Sequence, residues 1–307
     1  MSLYGLFARK GSSGFGYRSS AEQVTEGVSL AGKTVLLTGC NTGLGLEAMR
    51  VLVLCGAKVI GTARSLDKAR QACAGVGGET VPLSCELSEP ASVCACVEAV
   101  HRTGVELDAI ICNAGIMALP RLQTKHGYEL QFFTNHIGHF ILVTGLLDRL
   151  SPSARVVVVS SDLHKLAPKV GIEFDNLDGA RGYAPLRNYG QSKLANILFA
   201  KQLTHRFAGT QRTANAVHPG VIATNLSRHM NPVVSALQRA SAPLFLKSIP
   251  QGAATEVFVA THQSVAGVSG QYFADCNVAR PSASANDAGL AERLWNVSER
   301  IVAEVTT

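Results

Sequence analysis

The sequence predicts one α/β domain with a doubly wound parallel sheet. From residue 34 onward, short β-rich runs alternate with longer helical patterns, and no linker rich in Pro, Gly and Ser interrupts residues 30–300. The β-rich runs are almost continuously apolar, which is typical of strands buried on both faces of a parallel sheet. Right-handed crossovers place helices on both faces of such a sheet, which gives the doubly wound arrangement.

The expected elements follow in chain order. We predict strands at 34–38, 58–63, 80–84, 107–112, 155–160, 213–218 and 271–273. We predict helices near 44–56, 66–74, 88–103, 126–150, 187–208 and 250–262. Before the first strand, Ser20 and Gln23 have the spacing of a capping pair, which predicts a short helix over 20–27. The chain is therefore divided into an N-terminal arm over 1–28 and one domain over 29–307.

The composition excludes several classes of protein. The 307 residues are 47% hydrophobic and only 16% charged, whereas disordered chains and coiled coils need far more charge. A net charge of +6 without a Lys/Arg-dense run gives no reason to expect a nucleic-acid partner. No apolar run reaches the roughly 18 residues of a membrane span, and residues 1–20 lack the apolar core of a secretory signal. We expect a cytoplasmic or organelle-stroma location, with a short transit peptide left open.

The cysteines and a pair of histidines are expected to pack rather than to bind metal. The eight cysteines form no CxxC pair, and several lie in apolar runs where a thiol behaves as a small hydrophobe. Unpaired, reduced cysteines indicate a reducing compartment. His136 and His139 lie three apart on a predicted helix, but no third ligand follows at a matching spacing. No metal site is predicted.

A glycine-rich turn follows the first strand. Residues 38–45 read TGCNTGLG and open a helix that continues LEAMRVL. Glycines at a strand-to-helix turn let the backbone approach a pyrophosphate at the positive end of the helix. The spacing is G-xxx-G-x-G, and its place at the head of a βαβ series predicts a Rossmann-type dinucleotide site.

The end of the second strand bears on the choice between NAD and NADP. A site that prefers NAD carries an acid there to hold the ribose 2′-hydroxyl, whereas an arginine accommodates the 2′-phosphate of NADP. Arg64 occupies this place, and the nearest acid, Asp67, lies beyond the strand in the next predicted helix. We therefore expect NADP(H) as the cofactor, with a solvated arginine at a helix start as the alternative.

Polar residues suited to proton transfer are expected at the carboxyl edge of the sheet. Tyr189 and Lys193 are four apart and share one face of a predicted helix. A nearby ammonium favours the phenolate and lowers a tyrosine pKa from its ordinary value of about 10. Ser160 and Ser161 end the VVVV strand, where a serine can hydrogen-bond a substrate oxygen. Asn135, on another predicted helix, could complete a polar relay.

Together these motifs resemble the short-chain dehydrogenase/reductase family, and within it the retinol dehydrogenases with their plant chloroplast-envelope and WW-domain relatives. The resemblance covers about residues 19–303. It rests on TGCNTGLG, CNAG at 112–115, NHIGHF, VSS at 159–161, YGQSKLAN, HPGVIATNL at 218–226, PQGAAT, SGQYFADC at 269–276 and LAERLW. The N-terminal arm is most similar to that of the plant members. Retinol dehydrogenases typically carry an apolar N-terminal anchor; here only LYGLF is apolar, so a peripheral membrane contact is left open.

The resemblance implies a role for each matching residue. Tyr189 matches the general acid/base, and Lys193 matches the lysine that binds the nicotinamide ribose and lowers the tyrosine pKa. Ser161 matches the serine that orients the carbonyl, and Asn135 the asparagine that holds a water of the proton relay. The residues assigned to the cofactor, besides Tyr189 and Lys193, are Gly39, Asn41, Thr42, Gly43, Leu44, Gly45, Arg64, Glu86, Leu87, Asn113, Ala114, Gly115, Pro219, Val221 and Thr224. The family usually has Asp-Leu where this chain has Glu86-Leu87, so the adenine contact is moved by one methylene.

Two segments are expected to wall the substrate mouth. The stretch between Ser161 and Tyr189 must leave and re-enter at the catalytic edge. The other wall is expected from 225–249, whose apolar stripe either covers a lipophilic substrate or packs against the body. The stripe consists of Val233, Val234, Leu237, Leu244, Phe245 and Leu246.

The residues and the resemblance together predict an NADP(H)-dependent oxidoreductase. A hydride would pass between the nicotinamide and the carbonyl or alcohol carbon of a lipophilic substrate, a retinal-like aldehyde or ketone, with reduction favoured. Reduction of a steroid or quinone carbonyl would be the same chemistry in another pocket. The alternative from a different class is an NADPH-sensing interaction protein of an envelope or membrane assembly. Helices near 126–150 and 187–208 pair subunits in many relatives, so a homo-oligomer is left open.

Overall fold

The strands of the computed structural model, which describes residues 10–222 and 246–306, form one large sheet and a small hairpin. They are Thr34–Thr38 (β1), Lys58–Ala63 (β2), Thr80–Ser84 (β3), Leu107–Cys112 (β4), Thr124–Lys125 (β5), Tyr128–Glu129 (β6), Leu150–Val159 (β7), Thr213–His218 (β8), Tyr272–Ala274 (β9) and Asn277–Val278 (β10). The large sheet has eight strands in the order β10-β9-β8-β7-β4-β1-β2-β3, and β5 pairs with β6.

The strand order confirms the predicted doubly wound parallel sheet. Every neighbouring pair from β9 to β3 is parallel, and only β10 runs antiparallel to β9. The chain proceeds from β1 outward through β2 and β3, and then from β4 outward in the opposite direction through β7, β8 and β9. The direction changes between β1 and β4, and ligands of such sheets bind outside the carboxyl ends of the strands at this switch point.

Helices cover both faces of the sheet. They are Gly43–Leu54 (α1), Leu66–Val76 (α2), Pro90–Thr103 (α3), Leu130–Phe132 (α4), Gly138–Thr144 (α5), Pro185–Arg206 (α6), Ile249–Thr261 (α7) and Ala288–Val305 (α8). One core lies under α1, α2 and α7, and the other lies under α3 to α6 and α8. Adjacent β1 residues Leu36 and Leu37 belong to opposite cores, because side chains alternate along a strand.

The predicted helix over 126–150 is wrong at both ends. Its beginning is the β5–β6 hairpin, which turns through left-handed backbone at His126 (φ 52°) and Gly127 (φ 82°). The helix begins only at Leu130, where the Glu129 carboxylate accepts a hydrogen bond from Phe132 N. It contains a π turn over Phe133–Ile137 and ends at Thr144, and β7 begins at Leu150.

Both ends of the chain also differ from the predicted elements. The short helix expected over 20–27 is a single 3₁₀ turn at Gln23–Thr25. Its capping pair is present, since Ser20 N donates to Gln23 Oε1 (3.0 Å) and Gln23 N donates to Ser20 Oγ (3.3 Å). Helix α8 was not predicted from the sequence; it packs on α6 through buried residues that include Leu294 and Trp295.

The N-terminal arm packs onto α7 where the structure describes it. The Phe15 and Phe258 rings lie edge to face with centroids 5.6 Å apart, and Ala21 N donates to Pro250 O (2.8 Å). Ala21 and Val24 are fully buried in the core shared with α7. The arm predicted over 1–28 therefore contributes apolar residues to the core of the domain.

All eight cysteines are free, and six of them are buried. Among the helices that the structure describes, none combines the length and the apolar character needed to cross a bilayer.

Candidate active site

The glycine-rich turn joins β1 to α1 at the switch point. Gly39 and Gly43 have positive φ values of 72° and 57°, a conformation that glycine adopts without strain. A Cβ on Gly45 would lie 2.2 Å from Gly39 O, so only glycine fits at the start of α1. Among the described residues no side chain caps α1 at Thr42. The N–H groups of its first turn are therefore available to an anion, which fits a dinucleotide pyrophosphate.

The Asn113–Gly115 block holds this turn from the neighbouring strand β4. Asn113 Nδ2 donates to Thr38 O (2.8 Å), and Ala114 N donates to Thr38 Oγ1 (3.0 Å). A Cβ on Gly115 would lie 3.0 Å from Asn135 Oδ1 and 3.5 Å from Lys193 Nζ. The block thus connects the glycine-rich turn with the residues expected to transfer protons.

The residues expected around the adenine lie at the ends of β2 and β3. Arg64 is exposed directly after β2, and the nearest acid, Asp67, lies 3.8 Å from Arg70 in an ion pair on α2. Glu86 Oε1 accepts hydrogen bonds from Ser88 N (3.3 Å) and Ser88 Oγ (3.0 Å). Leu87 is buried, and its carbonyl lies against Gly138 so closely that a Cβ there would approach to 2.3 Å. Arg64 is exposed and Glu86 is partly exposed, whereas the Leu87 side chain belongs to the core, contrary to its expected contact with the cofactor.

Tyr189 and Lys193 lie on α6 and are almost completely buried. Ser161 lies beside the Tyr189 phenol, close enough to lower its pKa, and Lys193 Nζ donates to Val159 O (2.9 Å). The ammonium is 5.7 Å from the centroid of the Tyr189 ring. Ser160 has a different environment, because its Oγ donates to Lys193 O (2.7 Å) inside the protein. The structure therefore places Ser161, rather than Ser160, against the phenol.

Burial dominates the electrostatics of this pair. It raises the pKa of Tyr189 well above its ordinary value, and the hydrogen bond from Ser161 opposes this shift. It also lowers the pKa of Lys193 to about 8. The expected lowering of the tyrosine pKa by Lys193 is wrong for the net shift, because the cost of desolvating the phenolate is the larger effect. Tyr189 is consequently a protonated phenol at neutral pH.

Asn135 lies in the π turn, and its side chain is used by the protein. Its Oδ1 accepts from Ile116 N (2.8 Å), while its Nδ2 donates to Ile116 O (3.0 Å) and Ser192 Oγ (2.9 Å). Ser192 in turn donates to Tyr189 O (2.8 Å). Both N–H donors of the amide are therefore occupied, and Asn135 braces α6 beside Tyr189. Asn135 can therefore take part in a proton relay only through its oxygen atoms.

Comparison with known proteins decides the family. The sequence profile of the short chain dehydrogenase family matches residues 33–174. The chain is 40% identical to short-chain dehydrogenase TIC 32 B, chloroplastic, of Brassica napus, over 98% of this chain and 99% of that protein. This chain belongs to the short-chain dehydrogenase/reductase family. It is also 38% identical to human retinol dehydrogenase 14, over 88% of this chain and 86% of that protein.

A solved structure supports the same assignment for the fold of this short-chain dehydrogenase. A crystal structure of an uncharacterised protein from Mycobacterium paratuberculosis superposes with a TM-score of 0.74 and 33% identity. It covers 90% of this chain and 95% of the other. The family and the retinol dehydrogenase-like branch named from the sequence motifs are confirmed, and with them an oxidoreductase of the nicotinamide-dependent kind.

The residues that we expect on the nicotinamide side of the site follow β8. Pro219 is buried, and Gly220 has a φ of 94°. Val221 is half exposed, and its carbonyl accepts from Lys247 N (2.9 Å). Thr224 lies outside the described residues. So does most of the expected apolar stripe, namely Val233, Val234, Leu237, Leu244 and Phe245.

The stretch between Ser161 and Tyr189 leaves from the catalytic edge, as expected. Its first turn, Asp162–Leu166, packs on α6 so tightly that a Cβ on Gly190 would lie 2.6 Å from Leu163 O. Leu166 and Val170 are exposed on this stretch, with 47% and 69% of their surface accessible. An apolar surface is therefore available beside the site.

Several residues that shape the site were not found from the sequence. His218 Nδ1 accepts from Asp162 N (3.2 Å), which ties the end of β8 to the residue after Ser161. The Lys247 ammonium is buried 2.5 Å from Asp275 Oδ1, beside the glycine that precedes Val221. His164 is buried next to Ser161. These contacts join segments that are far apart along the chain, so no local sequence pattern predicts them.

The paired histidines are internal and bind protein groups. His139 Nδ1 donates to Asn135 O (3.0 Å), and its Nε2 lies 2.9 Å from Thr38 Oγ1. His136 Nε2 lies 2.8 Å from Ser298 Oγ. Burial lowers the pKa of His136 to about 3 and that of His139 to about 4, so both are neutral. Within 10–222 and 246–306 no group of three metal-ligating side chains occurs.

Proposed function

We propose that this short-chain dehydrogenase is an NADP(H)-dependent reductase of lipophilic carbonyl compounds, acting in the cytoplasm or an organelle stroma. The observation that carries the proposal is the buried Tyr189, with Ser161 beside its phenol and Lys193 one helical turn away. These groups lie on the same edge of the sheet as the glycine-rich turn of α1. Bound NADP(H) would supply or accept the hydride at this edge.

Tyr189 is suited to donate a proton to a carbonyl oxygen. Its raised pKa keeps the phenol protonated at neutral pH, so it enters the reaction as an acid. As the proton leaves, the phenolate is stabilised by the hydrogen bond from Ser161 and by the Lys193 ammonium. The reverse reaction needs the phenolate at the outset, which burial disfavours. The phenol at neutral pH is therefore in the protonation state from which reduction begins.

Arg64 supports NADP(H) over NAD(H). It is exposed at the end of β2, where the ribose of a dinucleotide lies in this fold. The only acid close by in sequence, Asp67, is paired with Arg70 on the outer surface of α2. A guanidinium without a competing carboxylate is suited to a 2′-phosphate.

The lipophilic substrate class rests on two supports. The retinol dehydrogenase relatives bear the name of a long apolar alcohol, and the stretch after Ser161 exposes Leu166 and Val170. A retinal-like aldehyde or ketone suits such a surface, and a steroid or quinone carbonyl would use the same proton donor. A peripheral membrane contact would also use exposed apolar side chains.

The test is consumption of NADPH and of NADH with retinal, medium-chain aldehydes, steroid ketones and quinones. We expect turnover that prefers NADPH and is lost in Tyr189→Phe. Arg64→Ala should remove the preference by raising KM for NADPH at least about 10-fold, whereas Lys68→Ala, an exposed cation on α2, should not. Equal use of both cofactors by the parent protein would overturn the NADP(H) assignment.

An NADPH-sensing interaction protein is the second candidate, and the N-terminal arm is the feature that favours it. The TIC 32 relatives align with nearly the whole chain, arm included. Because the arm buries Ala21 and Val24, its deletion would expose the core, and the partner test is better made with Arg18→Glu on its exposed side. Tight NADPH binding without turnover on any carbonyl would favour this second function.

A further inference from the structure

His164 is a buried side chain whose two ring nitrogens are both hydrogen-bonded. Nδ1 lies 2.6 Å from Ser161 O, and Nε2 lies 2.9 Å from the backbone N of Ser282. A backbone N–H can only donate, so Nε2 must be the acceptor. The proton of the neutral ring is therefore on Nδ1 and is donated to Ser161 O. Burial lowers the pKa of His164, which keeps the ring in this neutral form.

This ring and the backbone of the same residue hold the peptide that follows Ser161. Ser161 O also accepts from His164 N (3.0 Å), so the carbonyl is bonded twice by one residue. Ser161 Oγ accepts from Leu163 N (3.2 Å). With one lone pair of the hydroxyl oxygen occupied by this turn, the hydroxyl proton is free to be directed at the Tyr189 phenol. The orientation of Ser161 thus depends on the turn that His164 closes.

The bond to Ser282 anchors this turn to a distant part of the chain. Ser282 precedes α8 by a few residues, far from Ser161 in sequence. The His164 ring also packs edge to face on Tyr272 of β9, with centroids 5.1 Å apart. On the other side, the turn contacts α6 at Gly190, directly after Tyr189. The His164 ring is therefore held by β9 and by the segment before α8, and the turn that contains it is held by α6.

We propose that His164 is a positioning residue that holds Ser161 in register with Tyr189 by donating from Nδ1 to Ser161 O. The proposal rests on the reductase function proposed above. His164 contacts neither the phenol nor the substrate carbonyl; it acts through Ser161. Its link to Ser282 makes the segment before α8 part of the support of the active site.

The test compares two amides at this position. His164→Asn places an amide N–H where Nδ1 lies and keeps the bond to Ser161 O, whereas His164→Gln extends the amide toward the position of Nε2 and loses it. We expect His164→Gln to lower kcat about 100-fold relative to the parent protein, the scale of a misplaced catalytic group. His164→Asn should retain most of the parent kcat. KM for NADPH should stay unchanged in both.

A double-mutant cycle separates positioning from simple destabilisation. In a Ser161→Ala background, His164→Gln should cause no further loss of kcat, because the group through which it acts is gone. Equal losses in the Asn and Gln variants, or losses that multiply with Ser161→Ala, would overturn the proposal. The proposal would also be overturned if the ¹⁵N chemical shifts of the His164 ring at neutral pH showed a proton on Nε2. This measurement does not require turnover. A parent protein that reduces no carbonyl would instead contradict the proposed function.

Discussion

Ser161 lies beside the Tyr189 phenol, and its hydroxyl partly offsets the rise that burial causes in the tyrosine pKa. Burial raises the Tyr189 pKa, so the phenol stays protonated through neutral and mildly alkaline pH. Lys193, whose pKa burial lowers to about 8, loses its charge over this range, so we expect kcat for reduction to fall between about pH 7 and 9. Alcohol oxidation needs the phenolate, so its kcat should rise with pH over that range.

Removing the Ser161 hydroxyl should move this profile. Ser161→Ala deletes the interaction that lowers the Tyr189 pKa, so the oxidation limb should shift to higher pH and kcat should fall about 100-fold. Ser160→Ala is the matched control, because the Ser160 hydroxyl bonds the Lys193 carbonyl instead. An oxidation limb that stays in place in Ser161→Ala would contradict the bond between the two residues.

Gly45 should be irreplaceable in the cofactor turn. Gly45→Ala would place a methyl group 2.2 Å from Gly39 O and 2.5 Å from Asn113 Nδ2, so the turn must open. We expect NADPH binding, measured by calorimetry, to weaken at least about 100-fold. Gly75→Ala on α2 is the control: a Cβ there meets no described atom within 4 Å, and alanine should stabilise the helix by about 1 kcal/mol. Unchanged NADPH affinity in Gly45→Ala would show that the turn is not the pyrophosphate site.

Glu256 on α7 should make the folded state pH-sensitive. It is fully buried, neither carboxylate oxygen has a hydrogen-bond partner among the described residues, and burial raises its pKa to about 8. Between about pH 4.5 and 8 the folded state keeps a proton that the unfolded state releases, so this group makes stability fall as pH rises. We expect Glu256→Gln to raise the free energy of unfolding at pH 8 by about 3 kcal/mol and to have little effect at pH 5. Urea unfolding at both pH values measures this, and an equal effect at both would be contrary to a buried, titrating carboxyl.

The C-terminal helix α8 covers α5 and α6, so we expect that subunits do not pair through these two helices. Trp295 of α8 lies against Phe140 and Phe199, with ring centroids 4.7 Å and 5.9 Å apart, and the Arg206 guanidinium lies 3.9 Å from its ring. Pairing of subunits through these faces would require α8 to be displaced. We expect light scattering to give a mass near 32.3 kDa. Trp295→Ala should cost about 3–5 kcal/mol of stability, unlike the exposed Asn296→Ala. A stable dimer in which α8 remains folded on α6 would require a different interface.

Local patterns predicted the parts of the fold that depend on local physics. The bounds of β1, β2, β3, β4 and β8 agree with the apolar runs, because a strand buried on both faces shows itself as a continuous run. The 126–150 segment was misjudged because the left-handed turn at His126 and Gly127 has no unambiguous sequence signal. The amide bonds of Asn135 depend on a loop contributed by β4, which its own helix cannot reveal.

The residue types of the site could be predicted from the sequence, but the contacts between them could not. The spacing of Tyr189 and Lys193 and the serines at the end of β7 indicated the proton donor and its neighbours. Burial, which reverses the expected direction of the Tyr189 pKa shift, is a property of the assembled core and is absent from any motif. The same holds for His164, because its two partners, Ser161 and Ser282, are far apart in the sequence.

The central claim is that Tyr189 donates the proton while a nicotinamide hydride reaches a lipophilic carbonyl. The most direct measurement is a single turnover with NADPH deuterated at the transferable position and retinal as substrate, in the parent protein and in Tyr189→Phe. We expect deuterium in the alcohol product of the parent protein and a rate at least about 1000-fold lower in the variant. Transfer at an equal rate in Tyr189→Phe would contradict the account.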